Sequence, residues 1–189
     1  MHFHILFLGL IFLFACSEGA EVKSELWNNG QGFKVDNGIM FKDKVPFTGE
    51  IVKMYENGKV HSKTNYVNGQ MHGVSDSWYA DGHLLESRHY TKGYKTGIHK
   101  GWWQNSKKKF IYSFNDTGQY EGELLEWTET GQPYKIMNYK NGKEAGHQRI
   151  WDEEGNIKSN YTAINGDRYG LVNMKNCYTV DNESNEIKM

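Results

Sequence analysis

The chain has 189 residues, 22 Lys and Arg against 23 Asp and Glu, and a formal net charge of −1. That balance argues against a dedicated nucleic-acid binder, which carries a basic excess. A hydrophobic content of 38% with 24% charged residues argues against a disordered chain. Glycine is abundant (21), proline scarce (2) and aromatics reach 14%, so short strands joined by tight turns are expected rather than helices.

The first element is an address. Residues 3–15 are almost wholly apolar and end at Cys16. The stretch is shorter than the ~20 residues a membrane-spanning helix needs and fits the apolar region of a secretory signal. Leu13-Phe14-Ala15-Cys16 resembles the lipobox of bacterial lipoproteins. The resemblance implies cleavage before Cys16 and acylation of that residue, although the segment before the apolar run, Met1–His4, holds no Lys or Arg. The residues that follow, with Glu18, Glu21 and Glu25, read as a polar tether. Cys177 is the only other cysteine and, with Cys16 acylated, has no partner in the chain. It is expected to be a small core residue.

From residue 38 to about 180 the chain repeats. Glycines recur at Gly49, Gly73, Gly97, Gly122, Gly146 and Gly170, at spacings of 24, 24, 25, 24 and 24. Further turn glycines fall inside the units at Gly58, Gly69, Gly82, Gly93, Gly142, Gly155 and Gly166. Asn57-Gly58, Asn68-Gly69, Asp81-Gly82, Asn141-Gly142 and Asn165-Gly166 are read as type I′ turns, in which both central residues have positive φ. Between turns, β-formers alternate with polar residues, as in Val60–Val67. Tyr66, Tyr90, Phe114 and Tyr139 share one place in successive units. Tyr55, Tyr79 and Trp103 share another, with Trp127 and Trp151 one position earlier in their units. These are expected to stack as cross-strand ladders.

Each unit is therefore two strands and two turns, and five units make about ten antiparallel strands in meander order. Ile39–Phe41 and Val45–Phe47 are read as a leading hairpin that caps the array, with Pro46 at an edge. Leu171, Val172 and Met174 are read as part of a closing strand. The expected layout is a signal peptide over 1–15, a tether and cap over 16–37, a repeat sheet over 38–180 and a polar tail over 181–189. In the third unit, Gln104-Asn105-Ser106 lacks the turn glycine and one residue is inserted, which leaves the geometry of that turn open.

Tyr55-Glu56-Asn57-Gly58-Lys59, then Tyr66-Val67-Asn68-Gly69 and Gly73, resembles the MORN repeat in its bacterial variant. Tyr139–Lys143 followed by Gly146 is a second copy, and Pro46–Gly49 resembles the entry to a first repeat. The resemblance implies an all-β, elongated meander of hairpins. It associates such arrays with membrane attachment, scaffolding and dimerisation, and bacterial chains of this kind with the antitoxin-like YwqK family.

No motif for nucleophilic, phosphate or dinucleotide chemistry occurs. His61, His72, His83, His89 and His99 carry no carboxylate or Cys at ligand spacing, so they are read as surface groups, with no metal and no cofactor expected. Trp102, Trp103, Lys107, Lys108 and Lys109 form the most distinctive patch, a candidate contact for a partner or an anionic headgroup. The expected function is a non-enzymatic interaction or scaffold module, lipid-anchored to the bacterial envelope. The expected partner is an unidentified protein, with the membrane engaged through the lipid, no nucleic acid bound and a homodimer open through edge pairing. A toxin-neutralising immunity protein is the alternative, and glycan binding by the aromatic face is a further one.

Overall fold

The computed structural model describes residues 24–27 and 30–172. The leader, Cys16, Met174, Cys177 and the 181–189 tail lie outside them. The described residues form strands and turns with no helix. In chain order the strands are β1 (Ser24–Leu26), β2 (Phe33–Asp36), β3 (Ile39–Lys42), β4 (Val45–Pro46), β5 (Gly49–Met54), β6 (Val60–Val67), β7 (Gln70–Trp78), β8 (Leu84–Thr91), β9 (Tyr94–Lys95), β10 (Gly97–Trp102), β11 (Lys108–Phe114), β12 (Tyr120–Trp127), β13 (Pro133–Lys140), β14 (Lys143–Glu144), β15 (Gly146–Trp151), β16 (Ile157–Ile164) and β17 (Asp167–Leu171).

From β5 to β17 each main strand pairs antiparallel with the next, the short β9 and β14 lying beside β8 and β13. This is the expected meander. It belongs to a 14-stranded sheet whose first strand, β1, runs parallel to β5. The strands β2, β3 and β4 form a separate 3-stranded sheet.

Register assigns the core to one face. Paired residues share a face, and the rows Ile51–Thr64–Ser75–Arg88, His99–Tyr112–Leu124–Met137 and Gln148–Tyr161 run along it. Ile51, Leu124, Met137, Tyr161, Phe110 and Phe114 are buried there, whereas Ile98 on the opposite face is 57% exposed. The aromatic ladder lies on the core face. Gly49 faces Tyr66, Gly73 faces Tyr90, Gly97 faces Phe114 and Gly122 faces Tyr139. These glycines of the 24-residue period are thus strand positions opposite rings, as is Gly170 opposite Tyr161, while Gly146 faces Ala163.

One histidine departs from the surface reading. His99 is 1% exposed, its Nε2 bonded to the carbonyl of His89 at 2.8 Å and its ring between Tyr90 and Phe114 at 5.6 and 4.6 Å. Burial lowers its pKa. Gln148 holds the corresponding place two residues after Gly146. It is fully buried, accepting from the Asn138 N–H and donating to the Asn138 carbonyl.

At the N-terminal end the β3–β4 hairpin forms as expected, with Lys42 opposite Val45. It sits over the Asn68-Gly69 turn. The Met40 N–H donates to the Gly69 carbonyl and the Gly69 N–H to the Phe47 carbonyl, both at 2.7 Å. A Cβ on Gly69 would strike Ile39 and the Met40 carbonyl, so only glycine fits. Met40, Phe47 and Ile51 form a small core with Trp27, Phe33 and Tyr66 packed on it. Lys42 pairs with Glu25, joining the small sheet to β1.

Candidate functional site

The turns sort into two kinds, one for each edge of the meander. At residues 68–69, 92–93, 141–142 and 165–166 both central residues have positive φ, as in Asn68 (51°) and Gly69 (78°). These are the two-residue turns that match strand twist. The reading of Asn57-Gly58 and Asp81-Gly82 as the same type is corrected: Gly58 has φ 77°, but Asn57 and Asp81 do not have positive φ. Here the Gly58 N–H donates to the Tyr55 carbonyl and the Tyr55 N–H to the Lys59 carbonyl. This is a type I turn closed by a left-handed residue, and it carries a bulge, with the register shifting between Lys53 and Met54. The same pattern recurs at 79–83, 103–107, 128–132 and 152–156.

The third unit resolves in the same terms. Ser106 takes φ 63° and the 103–107 turn keeps the common hydrogen bonds. The inserted residue instead enlarges the opposite turn, Asn115–Gln119, where the Asn115 N–H donates to the Gln119 carbonyl.

Along the edge of five-residue turns, side chains tie each of the first three turns to the next. Tyr55 Oη donates to the Trp78 carbonyl at 2.7 Å, Tyr79 Oη to the Trp102 carbonyl at 3.0 Å and Trp103 Nε1 to the Trp127 carbonyl at 3.1 Å. Asn57 and Asn105 reach the carbonyls of Ala80 and Glu129, and Lys59 and Lys107 those of Asp81 and Thr130. Gln104 reaches back to Asp81, whose carboxyl that bond and the His83 N–H hold down at about 2. The position of Tyr55, Tyr79 and Trp103 is Thr128 in the fourth turn. Thr128 bonds only within its own turn, to Thr130 and Gln132. Among the described residues no side-chain hydrogen bond joins the fourth turn to the fifth.

A groove of about 650 Å³ runs over the third to fifth turns, lined by Trp103, Lys109, Phe110, Tyr112, Glu126, Trp127, Thr128, Glu129, Thr130, Gln132, Tyr134 and Glu153. Its floor is ordered. Phe110 and Tyr112 stack at 4.5 Å, and Tyr112 Oη and Lys135 Nζ both donate to Glu126 Oε1, at 3.0 and 3.1 Å. Burial, then Glu126, pushes the Tyr112 hydroxyl pKa far up, so it remains a donor. Gly101 has no room for a Cβ because Phe110 lies across it.

The structure divides the predicted tryptophan–lysine patch. Trp103 and Lys109 line the groove, with Lys109 Nζ 4.4 Å over the Trp103 ring. Lys108 Nζ stands 5.8 Å over Trp127. Lys107 is committed to the Thr130 carbonyl, and Trp102 is the residue at the bulge, opposite Lys108. Trp127 and Trp151 are counterparts of Trp102 at bulges, not displaced members of the Tyr55 series. That misalignment hid the groove. Its signal in the sequence was the small Thr128 where earlier units carry a ring. Thr128, Glu129, Tyr134 and Glu153 were all missed. Among the described residues no group of three or more His, Cys, Asp or Glu could hold a metal ion.

Two segments, 47–68 and 120–141, match the MORN repeat variant. Each MORN-variant segment spans one hairpin around a five-residue turn, β5–β6 and β12–β13, and the second contains Trp127, Thr128 and Tyr134 of the groove. MORN repeats in general mediate protein or membrane interactions, and proteins built from them are generally non-enzymatic binding modules. No curated protein matches the chain.

Proposed function

We propose that this chain is a non-enzymatic docking module that receives a protein partner in the groove that runs over the third to fifth turns, with its sheet tethered to the bacterial envelope by acylated Cys16. The observation that carries the docking reading is the interruption of the ties at Thr128. A repeat that keeps one bond pattern for three turns and then replaces the ring with a threonine leaves Trp127 half-buried and Tyr134 exposed beside the groove, and open clefts of that kind are the usual seat of a binding partner. The tether rests on Leu13–Cys16 and the apolar run before it. A toxin-neutralising role would use the same groove and differ only in the identity of the partner.

The test is site-specific photocrosslinking in the native host. A photoreactive residue at Gln132, in the groove, should yield a discrete adduct that the same residue at Ile98, on the opposite face, does not. Equal adducts at both positions, or none at Gln132, would overturn the docking reading.

A further inference from the structure

Asparagine followed by glycine occurs in five turns of the described residues, at Asn37, Asn57, Asn68, Asn141 and Asn165. The pair has a chemistry of its own. The backbone nitrogen of the glycine can attack Cγ of the asparagine, because glycine has no Cβ to crowd the approach. The N–Cγ bond forms, the Cγ–Nδ2 bond breaks, and ammonia leaves with the proton of the attacking nitrogen. Water then opens the five-membered imide at either carbonyl and leaves an aspartate or an isoaspartate. The step needs a nitrogen released from its hydrogen bond and a carboxamide that can swing onto it, which is a local opening of the turn. The fold therefore decides which of five identical dipeptides reacts.

Three of the five are pinned at the attacking nitrogen. The Gly69 N–H donates to the Phe47 carbonyl at 2.7 Å, Gly69 is buried, and the Asn68 N–H is taken by Thr48 Oγ1. The Gly142 N–H donates to the Tyr120 carbonyl at 2.9 Å, the Asn141 N–H to Glu121 Oε2, and Asn141 Oδ1 accepts from Asn115. The Gly58 N–H donates to the Tyr55 carbonyl at 3.0 Å. Both ends of the Asn57 carboxamide are bonded as well, Nδ2 to the Ala80 carbonyl and Oδ1 to the Lys59 N–H.

Asn37 and Asn165 stand apart. Each opens a two-residue turn with positive φ at both positions, 47° and 77° at Asn37-Gly38 and 55° and 94° at Asn165-Gly166. All four residues are exposed. Among the described residues neither carboxamide makes a hydrogen bond, and the Gly38 and Gly166 N–H groups reach no carbonyl. Position in the array explains the difference. Asn68 and Asn141 find their side-chain acceptors 20 residues earlier, at Thr48 and Glu121. The same place before Asn165 is Ala145, which offers no side-chain acceptor, and Asn37 comes before the first repeat unit.

We propose that Asn37 and Asn165 are sites of spontaneous deamidation in the folded chain, with water as co-reactant, and that Asn57, Asn68 and Asn141 are protected. Each event adds a carboxylate beside an existing acid, Asp36 in one turn and Asp167 in the other. An isoaspartate also lengthens the turn backbone by one methylene, in the β2–β3 hairpin of the cap or the β16–β17 hairpin at the far end. Neither turn lines the groove, so deamidation leaves the docking reading untouched.

The test ages the purified mature chain in mildly alkaline buffer made with heavy-oxygen water and maps its peptides by mass spectrometry. Peptides carrying Asn37 and Asn165 should take up heavy oxygen and become substrates for an isoaspartyl methyltransferase. Those carrying Asn57, Asn68 and Asn141 should react about tenfold more slowly or less, because hydrogen bonds must break before attack. In denaturant all five should react at similar rates, which assigns the order to the fold rather than to the dipeptide. Equal rates at the five sites in the folded chain would overturn the proposal. So would a folded chain that reacts at none of them, or first at Asn57, Asn68 or Asn141. Reaction at only one of the two exposed turns would overturn it for the other.

Discussion

The edge of five-residue turns is built in two ways. Across the first three turns a ring at Tyr55, Tyr79 or Trp103 bonds the next bulge, and lysines and asparagines reinforce the tie. Between the fourth and fifth turns those bonds are absent, and a groove runs over the third to fifth turns. The backbone is the same in both regions, because hydrogen bonds within each turn and the strand ladders set it. A repeat can therefore drop its side-chain ties at one step without losing its fold, since each unit is held mainly by its neighbours. The cost is local stability. The gain is a cleft.

The largest effect is expected where tied region and cleft share a residue. Gly101→Ala places a methyl against Phe110, at the groove floor, and overpacking of this kind costs about 1–3 kcal/mol. Thermal unfolding should show the loss. Removing single ties comes next. Tyr55→Phe and Tyr79→Phe each delete one hydroxyl donor and should each cost about 1 kcal/mol in denaturant titrations. The reverse change probes the cleft. Thr128→Tyr places the missing ring where it can reach toward the fifth turn. It should be neutral to stabilising by up to about 1 kcal/mol, despite loss of the Thr128 turn bonds, and should abolish the crosslink from Gln132. A retained crosslink would show that the open step is not the site.

The smallest effect is a pH dependence inside the tied region. His99 is buried with a lowered pKa, caused first by desolvation and reinforced by Arg88 and Lys95. The unfolded chain therefore binds a proton that the folded chain resists. Stability should rise with pH up to about the ordinary histidine value of 6.5 and be lost progressively below it. His99→Gln, copying Gln148, should flatten that slope in melts run from acid to neutral pH. An unchanged slope would assign the titration elsewhere. Lipid tethering is tested separately: fatty-acid labelling and membrane fractionation should find the wild type acylated and Cys16→Ala unlabelled and soluble.

Much of the fold was legible because its causes are local. Asn68-Gly69 and Asn165-Gly166 are two-residue hairpin turns in the structure, as their chemistry demands. The reading failed where two turn types share a dipeptide. Asn57-Gly58 looks identical to Asn68-Gly69, but its neighbours Tyr55 and Lys59 close a longer loop and Asn57 turns its side chain to the next unit. The groove was less legible for a related reason. Trp127 drew attention as a shifted copy of Trp103, when the informative residue was Thr128 beside it. Lys107, Lys108 and Lys109 looked like one basic patch, but one reaches a carbonyl and the other two stand over different tryptophans.

The sequence alone determined the all-β class, the 24-residue period, the order of the strands and the capping hairpin. Each follows from contacts between residues close in the chain, where spacing and turn chemistry carry the information. The burial of His99, the reach of Lys107 to the next turn and the opening beside Thr128 came from residues brought together across neighbouring strands and units. Such contacts depend on register and on what the neighbouring unit offers, and no local pattern encodes them.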